Sequence, residues 1–219
     1  MKTVLCYGDS LTWGTDPANS GQRHAFADRW PNVLQAGLGA GVEVVAEGMG
    51  GRTTAFDDHL ADADRNGARL LASAMHTHRP VSVVILMLGT NDLKPAVAGN
   101  AESTMLGMRR CVEIAQNHSP RLPDFVPPKV LIVAPPHLVE TTDAFFGAMF
   151  AGGIAESKKL AGYYATLATM MGCAFFDAAT VATASPIDGI HLDAAGTRAI
   201  GQALTPIVRG MLAKKAGHH

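Results

Sequence analysis

Long apolar runs are missing from this chain. The longest, such as Val83 to Leu88, fall far short of the roughly 20 residues that cross a bilayer, so no membrane-spanning helix is expected. The N-terminus passes from Lys2 straight into a short apolar stretch, without the longer segment and small-residue cleavage site of a secretory signal. A cytoplasmic protein with no membrane partner is therefore expected. Cysteine is scarce: the three, Cys6, Cys111 and Cys173, are odd in number, widely spaced and free of any C-x-x-C. That pattern suggests neither a disulfide framework nor a zinc site, and each cysteine reads as a small core residue. Charge of one sign is lacking too. A formal net charge of -1 with no basic stripe argues against a nucleic-acid partner. Also absent are H-E-x-x-H, a Walker loop, an intact G-x-G-x-x-G and the G-x-S-x-G elbow of α/β-hydrolases. Gly37-Leu38-Gly39-Ala40-Gly41 has part of the dinucleotide pattern, but it follows a helical segment and reads as a helix-ending turn.

What is present is an ordinary globular composition, 47% hydrophobic and 17% charged over 219 residues. That length suits one domain with a sizeable core, expected over residues 1–215, with 216–219 a tag remnant. Strands are predicted at Thr3 to Tyr7, Val42 to Ala46, Val81 to Leu88, Lys129 to Ala134 and Ala174 to Asp177. They are apolar nearly throughout, as parallel strands buried on both faces are. Helical patterns lie between them. Trp30, Val33, Leu34, Gly37 and Leu38 share one face, with Pro31 tolerated in the first turn. Leu70, Leu71, Ala74 and Met75 mark a second helix; Met105, Met108, Val112 and Ala115 mark a third, with Asn100 as N-cap. Ile154 to Met171 forms a fourth, stopped by Gly172, and Asp193 caps a fifth that Pro206 should kink. This alternation predicts a three-layer α/β/α sandwich around a five-stranded parallel sheet in flavodoxin-like order 2-1-3-4-5. Thr15 to Asp28, the proline-rich Ser119 to Pro128 and the aromatic-rich Pro135 to Gly153 are longer connections, of the kind that make lids, substrate walls or subunit contacts.

In such a sheet, ligands bind beyond the carboxyl ends of the strands. Strand one ends at Gly8-Asp9-Ser10-Leu11, strand two runs into Glu47-Gly48-Met49-Gly50-Gly51-Arg52-Thr53-Thr54, and strand three into Gly89-Thr90-Asn91-Asp92. Strand five is followed by Asp188-Gly189-Ile190-His191-Leu192-Asp193. One edge thus gathers a serine, a glycine-rich turn, an asparagine, and an acid three residues before a histidine. These are the parts of acyl transfer. A serine hydroxyl needs a base to take its proton, and histidine titrates in the useful range. A carboxylate on the other ring nitrogen fixes the tautomer. Donors must face the oxygen that becomes negative; a glycine lets a backbone N–H approach closely, and an asparagine amide adds another N–H without charge.

These blocks resemble those of the SGNH (GDSL) hydrolases. Gly8-Asp9-Ser10-Leu11 is similar to the nucleophile block, Gly89-Thr90-Asn91-Asp92 to the G-x-N-D block, and Asp188 with His191 to the D-x-x-H block. The resemblance implies Ser10 as nucleophile, His191 as general base and Asp188 as its orienting acid. It implies an oxyanion hole built from the Ser10 and Gly51 N–H groups and the Asn91 amide. The second block departs from the family pattern, with Glu47 where an asparagine usually stands, so Gly50 and Gly48 remain alternatives to Gly51. The strings Gly8 to Gly14, Glu47 to Thr54 and Asp188 to Leu192 are similar to the small arylesterase/acyltransferase branch. Members of that branch hydrolyse short-chain aryl, alkyl and acetylated-sugar esters; some transfer acyl groups to alcohols or peroxide, and many are oligomeric. The expectation is a serine esterase without metal or other cofactor, forming a homo-oligomer and acting on a small-molecule ester. The alternative is a non-catalytic carbohydrate- or partner-binding relative.

Four residues are candidates for substrate binding. Trp13 either walls the acyl pocket or packs in the core. Arg52 binds substrate or a neighbouring subunit, or pairs with Asp57, Asp58 or Glu47. His137 follows strand four on the same edge of the sheet, and Ile190 lies beside His191. Asp193 is the rival acid to Asp188, with helix capping its simpler duty, and Asp92 reads as structural.

Overall fold

The computed structural model describes residues 1–19, 22–118 and 126–213. The tag remnant and residues 119–125 of the expected subunit-contact segment lie outside the described residues. The strands are β1 (Lys2–Gly8), β2 (Val42–Gly48), β3 (Val81–Met87), β4 (Lys129–Ala134) and β5 (Ala174–Asp177). They form one parallel sheet in the order β2-β1-β3-β4-β5, as predicted. The helices are α1 (Ser10–Trp13), α2 (Trp30–Leu38), α3 (Gly67–Thr77), α4 (Ala101–Asn117), α5 (Ala144–Met149), α6 (Gly153–Met171) and α7 (Ala194–Ala213).

Alternation along each strand divides the core in two. Leu5, Tyr7, Val84, Leu86, Val130 and Ile132 pack against α3, α4 and α6 through residues such as Leu71, Met108 and Tyr164. Val4, Cys6, Val83, Ile85, Leu131 and Val133 face the other way, onto Trp30 and Leu34 of α2 and Ile200, Leu204 and Val208 of α7. Both faces are covered, which is why the strands are continuously apolar. Cys6 and Cys111 are buried, one in each layer. Among the described residues, no helix is long and apolar enough to cross a membrane.

Helix ends follow local chemistry. The Asn66 and Asn100 side chains accept from the N–H groups of Arg69 (3.1 Å) and Ser103 (2.8 Å) and so start α3 and α4. Gly172, at φ 65°, closes α6. The Asp193 carboxylate accepts from the Gly196 N–H at 2.7 Å, the capping duty expected of it. Helix α7 continues through Pro206. Pro206 and Gln202, whose carbonyl loses its partner, both lie on the exposed face, where water can satisfy the freed group. The sequence reading missed α5: within the segment read as irregular, Asp143 accepts from the Phe145 and Phe146 N–H groups and nucleates a short helix.

Two features position the sheet's C-terminal edge. Gly8 is in register with Gly48 and Met87, so β1 and both its neighbours end at one level. Gly48 carries no side chain, and the backbone of α1 rests on it; a Cβ there would stand 2.2 Å from the Trp13 nitrogen. The loop after β2 is then tied to the segment after β3 by Asp92, which is fully buried and accepts from the Thr54 N–H at 3.0 Å and from the Thr54 hydroxyl. Burial pushes the Asp92 carboxyl up to about 7 against the opposing pull of the Thr54 bonds.

Gly48→Ala is expected to lower both Tm and the kcat for the ester hydrolysis expected from the sequence, because α1 must move to clear the new methyl. Gly201→Ala, whose Cβ would meet the Trp30 carbonyl and Val33 at 2.6 Å between α2 and α7, should lower Tm with kcat unchanged. Overpacking of this kind costs about 1–3 kcal/mol, so thermal unfolding beside initial rates separates the two. For Asp92, the folded-state pKa lies above the unfolded value, so its contribution is full at low pH and is lost as pH rises towards 7 and beyond. Asn mimics the protonated acid at every pH. The Tm difference between Asp92→Asn and wild type should therefore shift in favour of the variant from pH 5 to pH 8.

Candidate active site

Ser10 owes its position to its neighbour. The Asp9 carboxylate accepts from the Leu11 N–H at 2.9 Å and caps α1, which makes Ser10 the first residue of a one-turn helix at the end of β1. Its hydroxyl points out of the sheet edge and meets His191 Nε2 at 2.9 Å. On the far side of the ring, His191 Nδ1 meets Asp188 Oδ2 at 2.6 Å. The Asp188 carboxylate has a second task. Its Oδ1 accepts from the Ile190 and His191 N–H groups, each at 2.9 Å, so the side chain that holds the ring also shapes the turn that presents it. Gly189 makes that turn possible at φ 76°, with its Cβ position only 2.6 Å from the Val139 carbonyl. The turn is anchored by the Val139 N–H donating to the Gly189 carbonyl at 3.0 Å and the Ser185 N–H to the His191 carbonyl at 2.7 Å.

Asp188 and His191 are 6% and 8% exposed, which keeps their contact largely out of water while one edge stays open. Burial pushes the Asp188 carboxyl up, but the His191 ring and N–H, the imidazolium charge and the Ile190 N–H outweigh it, and the group titrates below the ordinary carboxylate range. Asp9, fully buried behind Ser10, is pushed up to about 6 by desolvation against its hydrogen bond from Leu11.

The residues expected as donors lie on the loops after two other strands. After β3, Asn91 opens a short 3₁₀ turn and is 5% exposed. Its Nδ2 donates to the Arg52 carbonyl at 3.2 Å and lies 3.5 Å from Asp9 Oδ2. After β2, the Arg52 N–H donates to the Met49 carbonyl at 3.1 Å and Gly51 has φ 78°, a type II turn with glycine at its third position. The Met49 N–H donates to the Gly8 carbonyl at 3.1 Å and holds this turn beside the loop that carries Ser10.

The substrate-binding candidates fare differently. Ile190 is buried and lines a groove of about 440 Å³ beside Asp188, with Leu138, Phe146, Phe150 and Lys158 among the other walls. Ser10 is not in that lining; the groove opens on the Asp188 side of the His191 ring. His137 lines an adjoining groove of about 330 Å³ that shares the Leu138, Ile154 and Lys158 walls with the first. Trp13 is half-buried beneath Arg23, whose guanidinium carbon lies 4.9 Å from its ring centre, and it lines neither groove. Arg52 departs from both of its expected roles. It is 5% exposed and its guanidinium is spent inside the protein, donating to the Gly8 carbonyl at 2.8 Å and to the Glu47 carbonyl, and stacking 4.1 Å from the Tyr7 ring centre. None of the expected ion pairs forms: Asp57 pairs with Arg69, Asp58 with Lys94, and Glu47 with His78. Carbonyls at strand ends attract a buried guanidinium, and sequence reveals charges without revealing which carbonyls are left over.

Phe146 was not anticipated. It stands edge-on to the His191 ring, centroids 6.3 Å apart and planes at 88°, and forms one wall of the larger groove. The signal available was Asp143 two and three residues ahead of paired aromatics, a capping pattern inside an otherwise irregular stretch. Among the described residues, no group of three or more His, Cys, Asp or Glu side chains is placed to hold a metal ion.

Comparison with known proteins gives a consistent picture. The model of the GDSL-like Lipase/Acylhydrolase family matches residues 6–199. No match is found among curated proteins. Among solved structures, a carbohydrate acetylesterase family member from Sinorhizobium meliloti is 52% identical, with TM-score 0.95 over 98% of this chain and 100% of that one. The M. smegmatis aryl esterase is 40% identical, with TM-score 0.92 over 97% of this chain and 100% of that one. Est24, a carbohydrate acetylesterase from Sinorhizobium meliloti, is 38% identical, with TM-score 0.91 over 96% and 100%. With its sheet order, its serine at the end of β1 and a family match across most of its length, this chain belongs to the GDSL-like lipase/acylhydrolase, or SGNH, family of ester hydrolases.

Proposed function

We propose that the chain is a serine esterase that hydrolyses short-chain aryl, alkyl or acetylated-sugar esters through an acyl-enzyme, with Ser10, His191 and Asp188 as its catalytic residues. The observation that carries this reading is the unbroken contact chain from Ser10 Oγ through the His191 ring to Asp188, at 2.9 and 2.6 Å. Ser10 Oγ attacks the ester carbonyl carbon while His191 Nε2 takes the hydroxyl proton. Asp188 holds the ring in the tautomer with its proton on Nδ1 and stabilises the imidazolium that results. The carbonyl oxygen becomes negative opposite the Ser10 and Gly51 N–H groups and Asn91 Nδ2. Collapse of the tetrahedral intermediate breaks the ester C–O bond, and the leaving alcohol takes the proton back from His191. Water repeats the sequence in reverse and releases the acid; an alcohol or peroxide in its place would give acyl transfer. No step needs a metal or cofactor.

The acyl and alcohol classes rest on the acetylesterase and aryl esterase relatives and on the site's surroundings. The groove beside Asp188, about 440 Å³, falls in the range of small-molecule sites, roughly 300–1,000 Å³, and combines the Phe146, Phe150 and Ile190 side chains with Lys158. The proposal includes a single domain over residues 1–215, a cytoplasmic location and a homo-oligomer, expectations that come from the sequence.

The test uses p-nitrophenyl acetate. Ser10→Ala should lose turnover with Tm retained, whereas full activity in that variant would overturn the reading. Asn91→Ala should lower kcat about 100-fold or more, the usual consequence of removing one oxyanion donor, with KM much less affected. An effect confined to KM would make Asn91 a binding residue only.

A further inference from the structure

Of the donors proposed for the oxyanion, the Gly51 N–H has the weakest intrinsic hold on its orientation. Asn91 is fixed by the Arg52 carbonyl, and the Ser10 N–H opens the α1 turn that Asp9 caps through the Leu11 N–H. The Gly51 N–H belongs to the central peptide of the Met49–Arg52 turn. That peptide can rotate between type II and type I without breaking the closing bond from the Arg52 N–H to the Met49 carbonyl. Both central residues are glycines, so neither resists rotation. At Gly50 a Cβ would meet nothing within 4 Å, so no packed neighbour restrains that residue from its side-chain face.

One side chain does hold this peptide. Arg65 reaches across from the loop before α3, and its Nη1 donates to the Gly50 carbonyl. Its Cδ, Nε and Cζ lie against Gly51, each 3.5 Å from where a Cβ would be. Nη2 is tied back to Asp62 Oδ1 at 2.6 Å, and the Arg65 carbonyl accepts from the Thr53 N–H at 2.9 Å, which seats the residue beside the turn. The Gly50 carbonyl and the Gly51 N–H are two ends of one planar trans peptide and point in opposite directions. Holding the carbonyl towards Arg65 therefore holds the N–H away from it.

We infer that Arg65 is a positioning residue for the oxyanion hole: by binding the Gly50 carbonyl, it fixes the peptide whose other end, the Gly51 N–H, stabilises the developing negative charge. The inference rests on the function proposed above, in which Gly51 is a donor. It distinguishes Arg65 from the neighbouring arginine: Arg52 braces strand ends, whereas Arg65 sets the orientation of a reacting-site dipole. With the latch removed, the rate scales with the fraction of molecules whose N–H still faces the substrate.

The experiment measures p-nitrophenyl acetate kinetics and Tm for wild type, Ser10→Ala, Arg65→Lys, Arg65→Met and Asp62→Asn in the full chain. Lys and Met both retain an aliphatic stem against Gly51, but only Lys retains a donor for the Gly50 carbonyl. Arg65→Met should lower kcat roughly five- to fifty-fold, less than deletion of a donor outright, with KM within about two-fold. Arg65→Lys should recover several-fold of that loss, and Asp62→Asn, which frees only the outer anchor, should stay within about two-fold of wild type. The loss in Arg65→Met should also appear as weaker inhibition by a phenylboronic acid, whose serine adduct carries a tetrahedral oxyanion. Equal kcat for Arg65→Lys and Arg65→Met, or Arg65→Met at the wild-type kcat, would overturn the latch alone, provided wild type is active and Ser10→Ala is not. A wild-type chain that turns over no ester would overturn the functional reading, and the latch with it.

Discussion

The imidazole of His191 joins two parts of the chain 181 residues apart, and the rest of the molecule can be understood as the means of keeping that ring between Ser10 and Asp188. Neither contact is strong by itself in water. Their value comes from a setting in which the carboxylate is buried and the turn around it cannot relax. The Asp188 side chain closes the same turn that carries the ring, so the separation of carboxylate and imidazole is set by the local loop from Asp188 to His191. The serine is set independently, by Asp9 capping a one-turn helix at the end of β1. Bringing the two together is then the work of the sheet, whose parallel strands end at one edge.

A second constraint runs through the polar groups buried beneath that edge. Asp9, Asp92, Asn91 and Arg52 are all nearly or fully removed from water. Each is partnered chiefly by backbone atoms: Asp9 by the Leu11 N–H, Asp92 by Thr54, Asn91 by the Arg52 carbonyl, and Arg52 by the Gly8 and Glu47 carbonyls. Together they knit the loops after β1, β2 and β3 into one unit. Desolvation raises both buried acids, to about 6 and about 7, so the rigidity of this unit comes with a stability that declines as pH rises and these groups ionise. Sites that must hold donors still for a developing charge accept such costs, because fixed dipoles need no reorganisation when the charge appears.

Much of this was legible in the sequence, for identifiable reasons. The strands were readable because burial on both faces forces continuous apolar runs, and the sheet order followed from their alternation with helices. The placing of Ser10, Asn91, Asp188 and His191 at one edge was legible because strand ends carry short strings rich in glycine and acids, and the sheet brings those ends together. What escaped depends on contacts that composition does not encode. Arg52 looked like a partner for Asp57, Asp58 or Glu47 and instead serves two strand-end carbonyls. Helix α5 is only six residues long and has little periodicity, so Phe146 was hidden within an irregular stretch. Arg65 sits in a loop with Asp57, Asp58, Asp62 and Asp64, where any arginine reads as half of a surface ion pair. Its contact with a glycine carbonyl appears only once the loop is folded over the turn.

The account stands or falls on where the acyl group goes. Mixing the enzyme with p-nitrophenyl acetate, quenching in acid within the first turnover and mapping the protein by mass spectrometry would locate it. One acetyl group on the peptide carrying Ser10, formed at the rate of the nitrophenol burst, is the predicted result. Full-rate turnover with the acetyl group on another residue, or with no covalent adduct at any quench time, would contradict it.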